Sequence, residues 1–433
     1  MNQQKIFSSR YFAGFLIVTS LIFSACGDAS RSELAHTSNS AITTAPAAYA
    51  NSNAATAANQ VYDRMGLEEA STGERYAEIN ENPFFETARA PLSTFSIDVD
   101  TAAYSNVRRF LNDGQMPPKD AVRIEELVNY FEYNYPQPAG NVPFSVNTEM
   151  AVAPWNTKNR LMKIGLQGKK VSLDNTPAAN LVFLLDVSGS MASPDKLPLL
   201  KDGLRMMVNQ LKPNDRVAIA VYAGSSGLVL PSTPVGHKGE IMAALDQLQA
   251  GGSTNGGEGI RLAYTVAAEN FVSGGNNRVI LATDGDFNVG TTSDADLVSL
   301  IEAKRKSGIF LSVLGFGTGN LNDSMMEKLS NKGNGNYAYI DSRDEARKAL
   351  GEQVAGTLYT IAKDVKIQVE FNPAKVAGYR LIGYENRILA DRDFNDDTKD
   401  AGEIGAGHSV TALYEIVPAG QKVDNAATEL KYS

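Results

Sequence analysis

Three short segments of the sequence carry carboxylates and hydroxyls in a pattern that suits a metal ion. Asp186, Ser188 and Ser190 alternate in LLDVSGSM, directly after an apolar run. Thr254 lies in the glycine-rich segment GGSTNGG, and Asp284 follows the apolar run of RVILATDG. All five side chains offer oxygen, and none offers sulfur or an imidazole nitrogen. Hard divalent cations, Mg²⁺ above all, prefer such oxygen ligands.

A magnesium site built from these residues would leave part of the coordination shell open. Mg²⁺ prefers octahedral oxygen geometry, keeps several waters and rarely takes all of its ligands from protein. We therefore expect one position to be open to water or to an oxygen of a partner molecule. Gly189 allows the chain to turn just after the strand, so that the alternate side chains around it can converge on one point.

A serine hydrolase and a phosphate loop are the alternatives at these segments. Ser188 as a nucleophile needs a base, and His237 and His408 are the only histidines after residue 90. Asp186 stands where the G-x-S-x-G motif needs glycine. The segment GGSTNGGEG lacks the lysine of the phosphate-loop motif, because Gly257 occupies its place. Both alternatives fit the residues less well than a metal site.

The segments that must position these residues alternate between strands and helices. From Asn180 to about Leu350, apolar strand-like runs such as LVFLLDV, RVAIAVYAG and IFLSVLGFG are separated by helical segments such as KLPLLKDGLRMMVNQL. This alternation predicts an α/β fold with a mostly parallel sheet that helices cover on both faces. Such sheets bind ligands at the carboxyl ends of their strands. We therefore expect three loops at that edge to supply the five candidate ligands.

The order and context of these motifs resemble the von Willebrand factor type A domain over the whole alternating segment. D-x-S-x-S follows a buried strand, T-N lies in a glycine-rich loop, and T-D-G follows a later strand. The resemblance implies a Rossmann-like fold and a metal-ion-dependent adhesion site for Mg²⁺, with Mn²⁺ or Ca²⁺ as alternatives. It further implies that Ser188 and Ser190 bind the ion directly and that Asp186 acts largely through water. Thr254 and Asp284 would exchange direct and water-mediated contact as the site opens or closes.

The flanking segments predict β structure on both sides of the central domain. We expect an α+β flanking domain in residues 91–178, the type A domain in residues 179–352 and a C-terminal β domain in residues 353–433. Alternating apolar residues in FSVNTEMAVAPW and RLMKIGLQG, and again in DVKIQVEF and HSVTALYEI, are typical of strands with one buried face. We predict that the early runs pair with the C-terminal strands, which would insert the central domain into a β-sandwich.

The flanks also resemble those of a bacterial lipoprotein family with a central type A domain, sometimes labelled calcium-activated chloride channel-like. The resemblance rests on STFSIDVDTAAYSNVRRFLNDGQMPPKDAVRIEELVNYF and GYENRILADRDFNDDTKDAGEIGAGHSVTALYEI. No apolar stretch after the N-terminus approaches the ~18 residues of a membrane span, so we do not expect a pore. Relatives continue beyond ELKYS, and we expect the C-terminal domain to be truncated here.

Three local predictions concern the flanks. Asp98 is expected to face solvent, and Asp100 or Thr101 to cap the following helix. The acidic segment DRDFNDDTKDAGE is either a solvated turn or a calcium loop, although it departs from the calcium-loop pattern at two positions. The helix of DAVRIEELVNYF is expected to bury four apolar residues on one face, Ile124, Leu127, Val128 and Phe131.

The N-terminus is typical of a secreted bacterial protein. Two basic residues precede a short apolar core, and small residues then precede Cys26, the only cysteine of the chain. This layout resembles a bacterial lipoprotein signal, although Phe23 stands where relatives usually carry leucine. It implies that residues 1–26 direct export and that lipidated Cys26 holds the protein on a membrane surface. Residues 27–90 are small, polar and aperiodic, which predicts a disordered tether.

Composition and resemblance together define the expected function. The net charge of -9 and the isoelectric point of about 5.1 argue against nucleic acid as a partner. We expect a lipid-anchored protein of the bacterial cell envelope, facing the periplasm or the cell surface, that is not an enzyme. Its metal site would bind a protein partner that donates an Asp or Glu carboxylate. The alternatives are a structural or assembly subunit in which the metal only rigidifies the domain, and an unrecognised hydrolase.

Replacing Cys26 by serine should move the protein out of the membrane fraction, because serine cannot carry the thioether-linked lipid. Labelling with a palmitate analogue, followed by fractionation, measures both the lipid and the location. Ser40→Ala in the predicted tether is the matched control and should leave both unchanged. Membrane association that persists in Cys26→Ser would contradict the lipid anchor.

Overall fold

The computed structural model describes residues 73–172, 176–223, 226–252, 256–285, 294–396, 399 and 401–424. The predicted signal, Cys26 and the first part of the predicted tether lie outside these residues. Among the described helices, none is both long enough and apolar enough to cross a membrane.

The described residues form fifteen strands and nine α-helices. The strands are β1 (Phe85–Glu86), β2 (Leu92–Ser96), β3 (Phe144–Ala153), β4 (Asn156–Gly168), β5 (Ala179–Asp186), β6 (Arg216–Tyr222), β7 (Ser226–Pro234), β8 (Asn276–Thr283), β9 (Ile309–Phe316), β10 (Tyr337–Ile340), β11 (Thr360–Glu370), β12 (Val376–Ile382), β13 (Ile388–Leu389), β14 (Gly402–Gly405) and β15 (Ser409–Pro418). The α-helices are α1 (Ala102–Asn112), α2 (Ile124–Asn129), α3 (Leu197–Gln210), α4 (Lys238–Gln247), α5 (Gly256–Glu269), α6 (Asp294–Lys306), α7 (Asp323–Lys332), α8 (Arg343–Arg347) and α9 (Val354–Leu358).

The central domain is a six-stranded sheet in the order β10-β9-β8-β5-β6-β7. Its strands pair in parallel, except that the hairpin strand β7 runs antiparallel to β6. Every residue of β5 and β8 is buried, as expected for strands covered on both faces. Helices α3 and α4 pack on one face, and α5, α6 and α7 pack on the other. The predicted α/β class with a mostly parallel sheet is confirmed.

A β-sandwich forms from strands that come before and after the central domain. One sheet has the order β1-β12-β15-β4-β3 and the other the order β13-β2-β11-β14. Strand β4 pairs antiparallel with β15, with Leu166 opposite Val410. Phe95, Tyr379 and Tyr414 meet between the two sheets in a shared aromatic core. The predicted pairing of the early strands with the C-terminal strands is therefore confirmed, and the central domain is inserted between them.

The folded part of the chain begins before Pro91, so the predicted tether is too long at its C-terminal end. Strand β1 adds an edge to the sandwich by pairing with β12. Glu74 forms an ion pair of 2.8 Å with Arg109 on α1, and both side chains are largely buried. Thr87 is also buried. These contacts are specific and distant in sequence, which explains why the polar composition of residues 73–90 gave no sign of them.

Helix α2 buries its polar face, contrary to the prediction. Glu125, Glu126 and Asn129 are buried, whereas Ile124 and Phe131 are 39% and 53% exposed. The reason is tertiary packing, because Glu126 bonds Arg123, and Asn129 exchanges hydrogen bonds with the backbone of Thr411 on β15 at 2.6 and 2.9 Å. Ionic and hydrogen-bonding partners offset the desolvation of buried carboxylates, which a periodicity argument cannot foresee.

A buried ion cluster joins the flanking segments to the central domain. Arg123, just before α2, bonds Glu126 and donates from Nη1 to Asp323 Oδ2 at 2.5 Å. Its Nη1 also lies 3.7 Å from Glu327 Oε2 on α7. Arg387, from the turn after β12, lies 3.7 Å from the other oxygen of Glu327. The cluster thus connects elements that are far apart in sequence.

The same cluster overturns the predictions for residues 98–101. Asp98 is ion-paired with Arg387 at 3.1 Å and does not simply face solvent. Asp100 is fully buried and accepts a hydrogen bond of 2.6 Å from the backbone N–H of Tyr337, at the start of β10. Thr101 occupies the cap position of α1 but makes no capping hydrogen bond through its side chain. The carboxylate of Asp100, which the local sequence predicted to cap α1, therefore binds the start of β10.

Carboxyl groups outnumber the guanidinium groups in this cluster, so repulsion among the acids adds to the effect of burial. Burial raises the pKa of Asp100 and Glu327 above their ordinary values, and the neighbouring carboxylates add to the shift. Burial is also the main cause that raises the pKa of Glu126 to about 7, although Arg123 opposes it. Part of the cluster therefore holds protons near neutral pH.

Stability should fall as pH rises from 5.5 to 8. The folded state keeps a proton on Glu126 that the unfolded chain releases near its ordinary pKa of 4.5. This stabilisation is full below that value and is lost as pH rises through about 7; it totals about 3 kcal/mol, of which about 2 kcal/mol is lost between pH 5.5 and 8. Urea unfolding at pH 5.5 and at pH 8 measures this difference in the free energy of unfolding. Glu126→Gln should flatten the dependence, whereas Glu78→Gln, at an exposed position, should not. Equal slopes in wild type and Glu126→Gln would exclude Glu126 as the source.

Candidate metal centre

The predicted metal ligands meet where the carboxyl ends of β5 and β8 lie side by side. Asp186 is the last residue of β5, and Asp284 directly follows β8, its parallel neighbour. Both carboxylates are fully buried, Ser188 is 2% exposed, and Ser190 is exposed at the rim. Thr254 lies outside the described residues, so its predicted role stays a prediction. Four of the five candidates therefore share one edge of the sheet.

Backbone and hydroxyl groups hold Asp186 in place. Its Oδ1 accepts from the backbone N–H of Ser188 at 2.9 Å, and its Oδ2 accepts from Thr283 Oγ1 at 3.3 Å. Thr283 Oγ1 in turn accepts from the N–H of Gly285 at 3.2 Å. Because both oxygens of Asp186 already have protein partners, it is suited to orient the loop and water molecules around an ion. Sequence reasoning did not single out Thr283.

The glycine-rich segment is tied to the serine loop by two backbone hydrogen bonds. Gly189 N donates to Gly252 O at 3.0 Å, and Gly251 N donates to Val187 O at 2.7 Å. These bonds fix the point from which the chain continues toward residue 254.

The spacing of the two serine hydroxyls fits a magnesium ion. Ser188 Oγ and Ser190 Oγ lie 3.0 Å apart. Two adjacent ligands of an octahedral Mg²⁺ at about 2.1 Å lie about 3.0 Å from each other, so both hydroxyls can bind one ion without moving apart. Within the described residues, no three carboxylate, imidazole or thiol groups converge. A metal site here would thus depend on Ser188 and Ser190, with Asp186 and Asp284 supplying negative charge.

The first part of the acidic segment packs against the sandwich, whereas residues 397, 398 and 400 lie outside the described residues, so the calcium-loop alternative stays a prediction. Asp391–Asn395 forms a 3₁₀ turn, and Asp391 Oδ1 accepts a hydrogen bond of 2.9 Å from Thr94 on β2. The turn therefore serves the packing of the sandwich.

Lys196 is a member of this site that the sequence analysis missed. Its Nζ lies 2.8 Å from Asp284 Oδ2, and the lysine is 9% exposed. The side-chain stem crosses Gly317, where an added Cβ would come within 2.1 Å of Lys196 Cε. One signal was present, because Lys196 occupies the N-cap of α3, where cations are disfavoured and small polar residues are preferred.

The two aspartates have opposite pKa shifts. Burial raises the pKa of Asp186 above its ordinary value, and hydrogen bonds from Ser188 only partly oppose this. Burial also acts to raise the pKa of Asp284, but hydrogen bonds from Lys196 and Ser190 outweigh it and leave the pKa below its ordinary value. Asp284 is therefore ionised at neutral pH and shares its charge with Lys196.

Comparison with known families agrees with this geometry. The model of the von Willebrand factor type A domain matches residues 180–353. A model described as von Willebrand factor matches residues 70–163, and one described as the C-terminal part of the uncharacterized protein YfbK matches residues 356–433. The central α/β domain is a von Willebrand factor type A domain.

A curated relative covers most of the chain. The uncharacterized protein YfbK of Escherichia coli K12 is 48% identical over 366 residues, which are 83% of this chain and 63% of the relative. The uncharacterized protein sll0103 of Synechocystis is 26% identical over 193 residues, 44% of each chain. The chain thus spans less than two thirds of the length of either relative.

Solved structures resemble parts of the chain. BatB from Bacteroides thetaiotaomicron covers 41% of this chain and 97% of its own, at 23% identity and a TM-score of 0.36. A von Willebrand factor type A protein from Catenulispora acidiphila covers 79% of this chain and 66% of its own, at 15% identity and a TM-score of 0.39.

Lys196→Met should strengthen metal binding about tenfold or more. The lysine ammonium competes with a divalent ion for Asp284, and methionine keeps the apolar stem while removing the charge. Calorimetric titration with Mn²⁺ measures the affinity. Lys119→Met is the matched control, because Lys119 is 71% exposed and pairs only weakly with its neighbour Asp120. Unchanged or weaker affinity in Lys196→Met would show that the lysine supports the site instead of competing with the ion.

Proposed function

We propose that this chain is a lipid-anchored cell-envelope protein that presents a metal-dependent binding site to a protein partner. The observation that carries the proposal is the pair of serine hydroxyls, 3.0 Å apart beside two buried aspartates at the open edge of the sheet. Type A domains mediate protein–protein interactions, which supports a binding role for this edge. The anchor rests on Cys26 and the N-terminal segment that precedes it.

Different residues of the metal centre would bind the ion and face the partner. Ser188 and Ser190 would hold the ion, with Asp186 fixing the loop through its two hydrogen bonds. A bound Mg²⁺ would supply Lewis acidity toward an anionic oxygen. Ser190, exposed at the rim, places that position within reach of another molecule.

The charge of the site favours a carboxylate from the partner. Asp186 and Asp284 contribute two negative charges, and Lys196 contributes one positive charge. A divalent ion would therefore leave the loaded site with a net charge of about +1, where the two aspartates alone would only balance it. The whole chain has a net charge of -9, but screening weakens that repulsion beyond about 8 Å at physiological salt. The attraction between the bound ion and the partner's carboxylate at contact would therefore determine binding.

The positions of the histidines favour a binding role over hydrolysis. His237 lies beside Glu240 at the start of α4, with 3.3 Å between Nδ1 and Oε1. His408 lies just before β15, beside the seam between the sandwich and the central domain. Neither offers a base to Ser188, whose hydroxyl contacts Ser190. His36 lies outside the described residues.

Binding of the partner should require both the metal and Asp186. Immobilised mature protein, incubated with solubilised envelope proteins in Mg²⁺, should retain a partner that chelation releases and renewed Mg²⁺ restores. Asp186→Ala should weaken Mn²⁺ binding and partner retention at least tenfold while the melting temperature changes little, because Asp186 ends β5 at the edge of the sheet and is not part of the apolar core. Asp246→Ala, at an exposed carboxylate on α4, is the control.

The partner's own residues complete the test. Changing one interface Asp or Glu of the partner to Asn or Gln should reduce binding as much as Asp186→Ala does. Retention that survives chelation would favour a structural role for the metal. Turnover of an ester or peptide that is lost in Ser188→Ala would favour a hydrolase.

A further inference from the structure

A buried arginine lies at the opposite end of the strand that leads to the metal centre. Arg278 is the third residue of β8 and is 1% exposed. Its position is roughly 17 Å along the strand from Thr283 at the metal edge. Arg278 therefore belongs to a different part of the molecule from the site described above.

The guanidinium of Arg278 has few partners. Its Nη1 donates to Ser312 Oγ on β9 at 2.7 Å, and its Cζ lies 5.6 Å from the ring centre of Phe310. Its Nε is buried and has no hydrogen-bond acceptor among the described residues. The charge of Glu403 attracts it, but the two do not form an ion pair.

A buried guanidinium with as few partners as that of Arg278 is energetically unusual. A buried charge is costly unless it is paired and hydrogen-bonded. Two other arginines in the described part of the chain, the buried Arg123 and the largely buried Arg387, each contact several carboxylates. Burial lowers the pKa of Arg278 to about 10, so it is still charged at neutral pH. The fold thus maintains a buried positive charge that no carboxylate of the described residues contacts.

Arg278 lines a polar cleft at the seam between the central domain and the sandwich. The cleft has a volume of about 780 Å³, within the range of small-molecule sites. We call it the Arg278 cleft. The central domain contributes α7 and the loop before β10, and the sandwich contributes β14 and the start of β11. Polar groups in its lining include Asn334, Asn336, Thr360 and Glu403.

We propose that the Arg278 cleft binds a small molecule through an oxyanion, a carboxylate or phosphate group, placed on the guanidinium of Arg278. A planar guanidinium matches the paired oxygens of such groups and forms strong charge-assisted hydrogen bonds with them. The ligand would supply the acceptor that Nε lacks.

Glu403 sets the strength of this binding. Its Oε1 accepts from Asn334 Nδ2 at 3.0 Å, and its Oε2 lies 3.4 Å from Thr360 Oγ1. These bonds hold the carboxylate away from Arg278. Burial also raises the pKa of Glu403 above its ordinary value. When ionised it repels an anion, so its neutral isostere should bind one more tightly.

Occupancy should stabilise the whole fold. Arg278 and Ser312 belong to the central domain, whereas Thr360 and Glu403 belong to strands of the sandwich. A ligand that contacts both sides would bind the folded chain and not the unfolded chain, which raises the melting temperature. The rise in melting temperature does not depend on the metal centre, so the ligand should stabilise Asp186→Ala as much as wild type.

The experiment measures thermal unfolding and calorimetric binding of the full chain with two separate probes, succinate and inorganic phosphate. NaCl at equal ionic strength is the reference. Wild type should be stabilised by at least one probe at millimolar concentration, and the stronger probe identifies the oxyanion. Arg278→Met should lose this response while its ligand-free melting temperature stays equal or rises, because it removes an unpaired buried charge. Glu403→Gln should bind at least threefold more tightly.

One control variant and three possible outcomes decide whether the proposal holds. Arg261→Met, at an exposed arginine on α5, should respond like wild type. If Arg278→Met does not fold, the Glu403→Gln variant alone still tests the proposal. Wild type that gains no stability from either probe up to about 20 mM would overturn it. So would an equal response in Arg278→Met, or unchanged affinity in Glu403→Gln.

Discussion

The ion pair between Arg123 and Asp323 is the most buried salt bridge that joins the two domains in the described part of the chain. It joins a loop of the N-terminal flank to the first turn of α7, across 200 residues of sequence. Removing one partner of such a buried pair typically destabilises a protein by about 3–5 kcal/mol, because the other charge is left unpaired. Asp100 extends the connection to β10 through Tyr337. The inserted type A domain is therefore held by buried charge as well as by its covalent connections to the sandwich.

Strand β8 carries a charged group near each end, and the surroundings give the two ends different properties. At its carboxyl end, Asp284 shares its charge with Lys196, so that Asp186, Asp284 and Lys196 together leave a net charge of -1 that attracts a divalent ion. Near its amino end, Arg278 contacts a hydroxyl and an aromatic ring but no carboxylate of the described residues. The first end is suited to a cation and the second to an anion. The fully buried strand keeps the two proposed sites apart.

The parts of the fold that were predicted correctly depend on local pattern. Continuous apolar runs predicted the buried parallel strands, and one-sided alternation predicted the sandwich strands with their pairing across the insertion. The parts predicted wrongly are those where distant charges override local preference. Helix α2 has an apolar face, yet its polar face is buried because Glu126 bonds Arg123 and Asn129 bonds Thr411 on β15. Asp100 is a favourable helix cap, yet it bonds the start of β10.

The sequence by itself predicted the type A domain, the meeting of Asp186, Ser188, Ser190 and Asp284 at one edge of its sheet, and the insertion into a β domain. Residue type and spacing along one chain suffice for these features, because strand ends and turns are set by near neighbours. Only the tertiary structure decided that Lys196 reaches Asp284 and that Arg278 is buried away from the carboxylates of the described residues. Both facts depend on which side chains come together from separate elements of the fold. Burial strengthens the electrostatic interaction between such side chains, because little water remains to screen it.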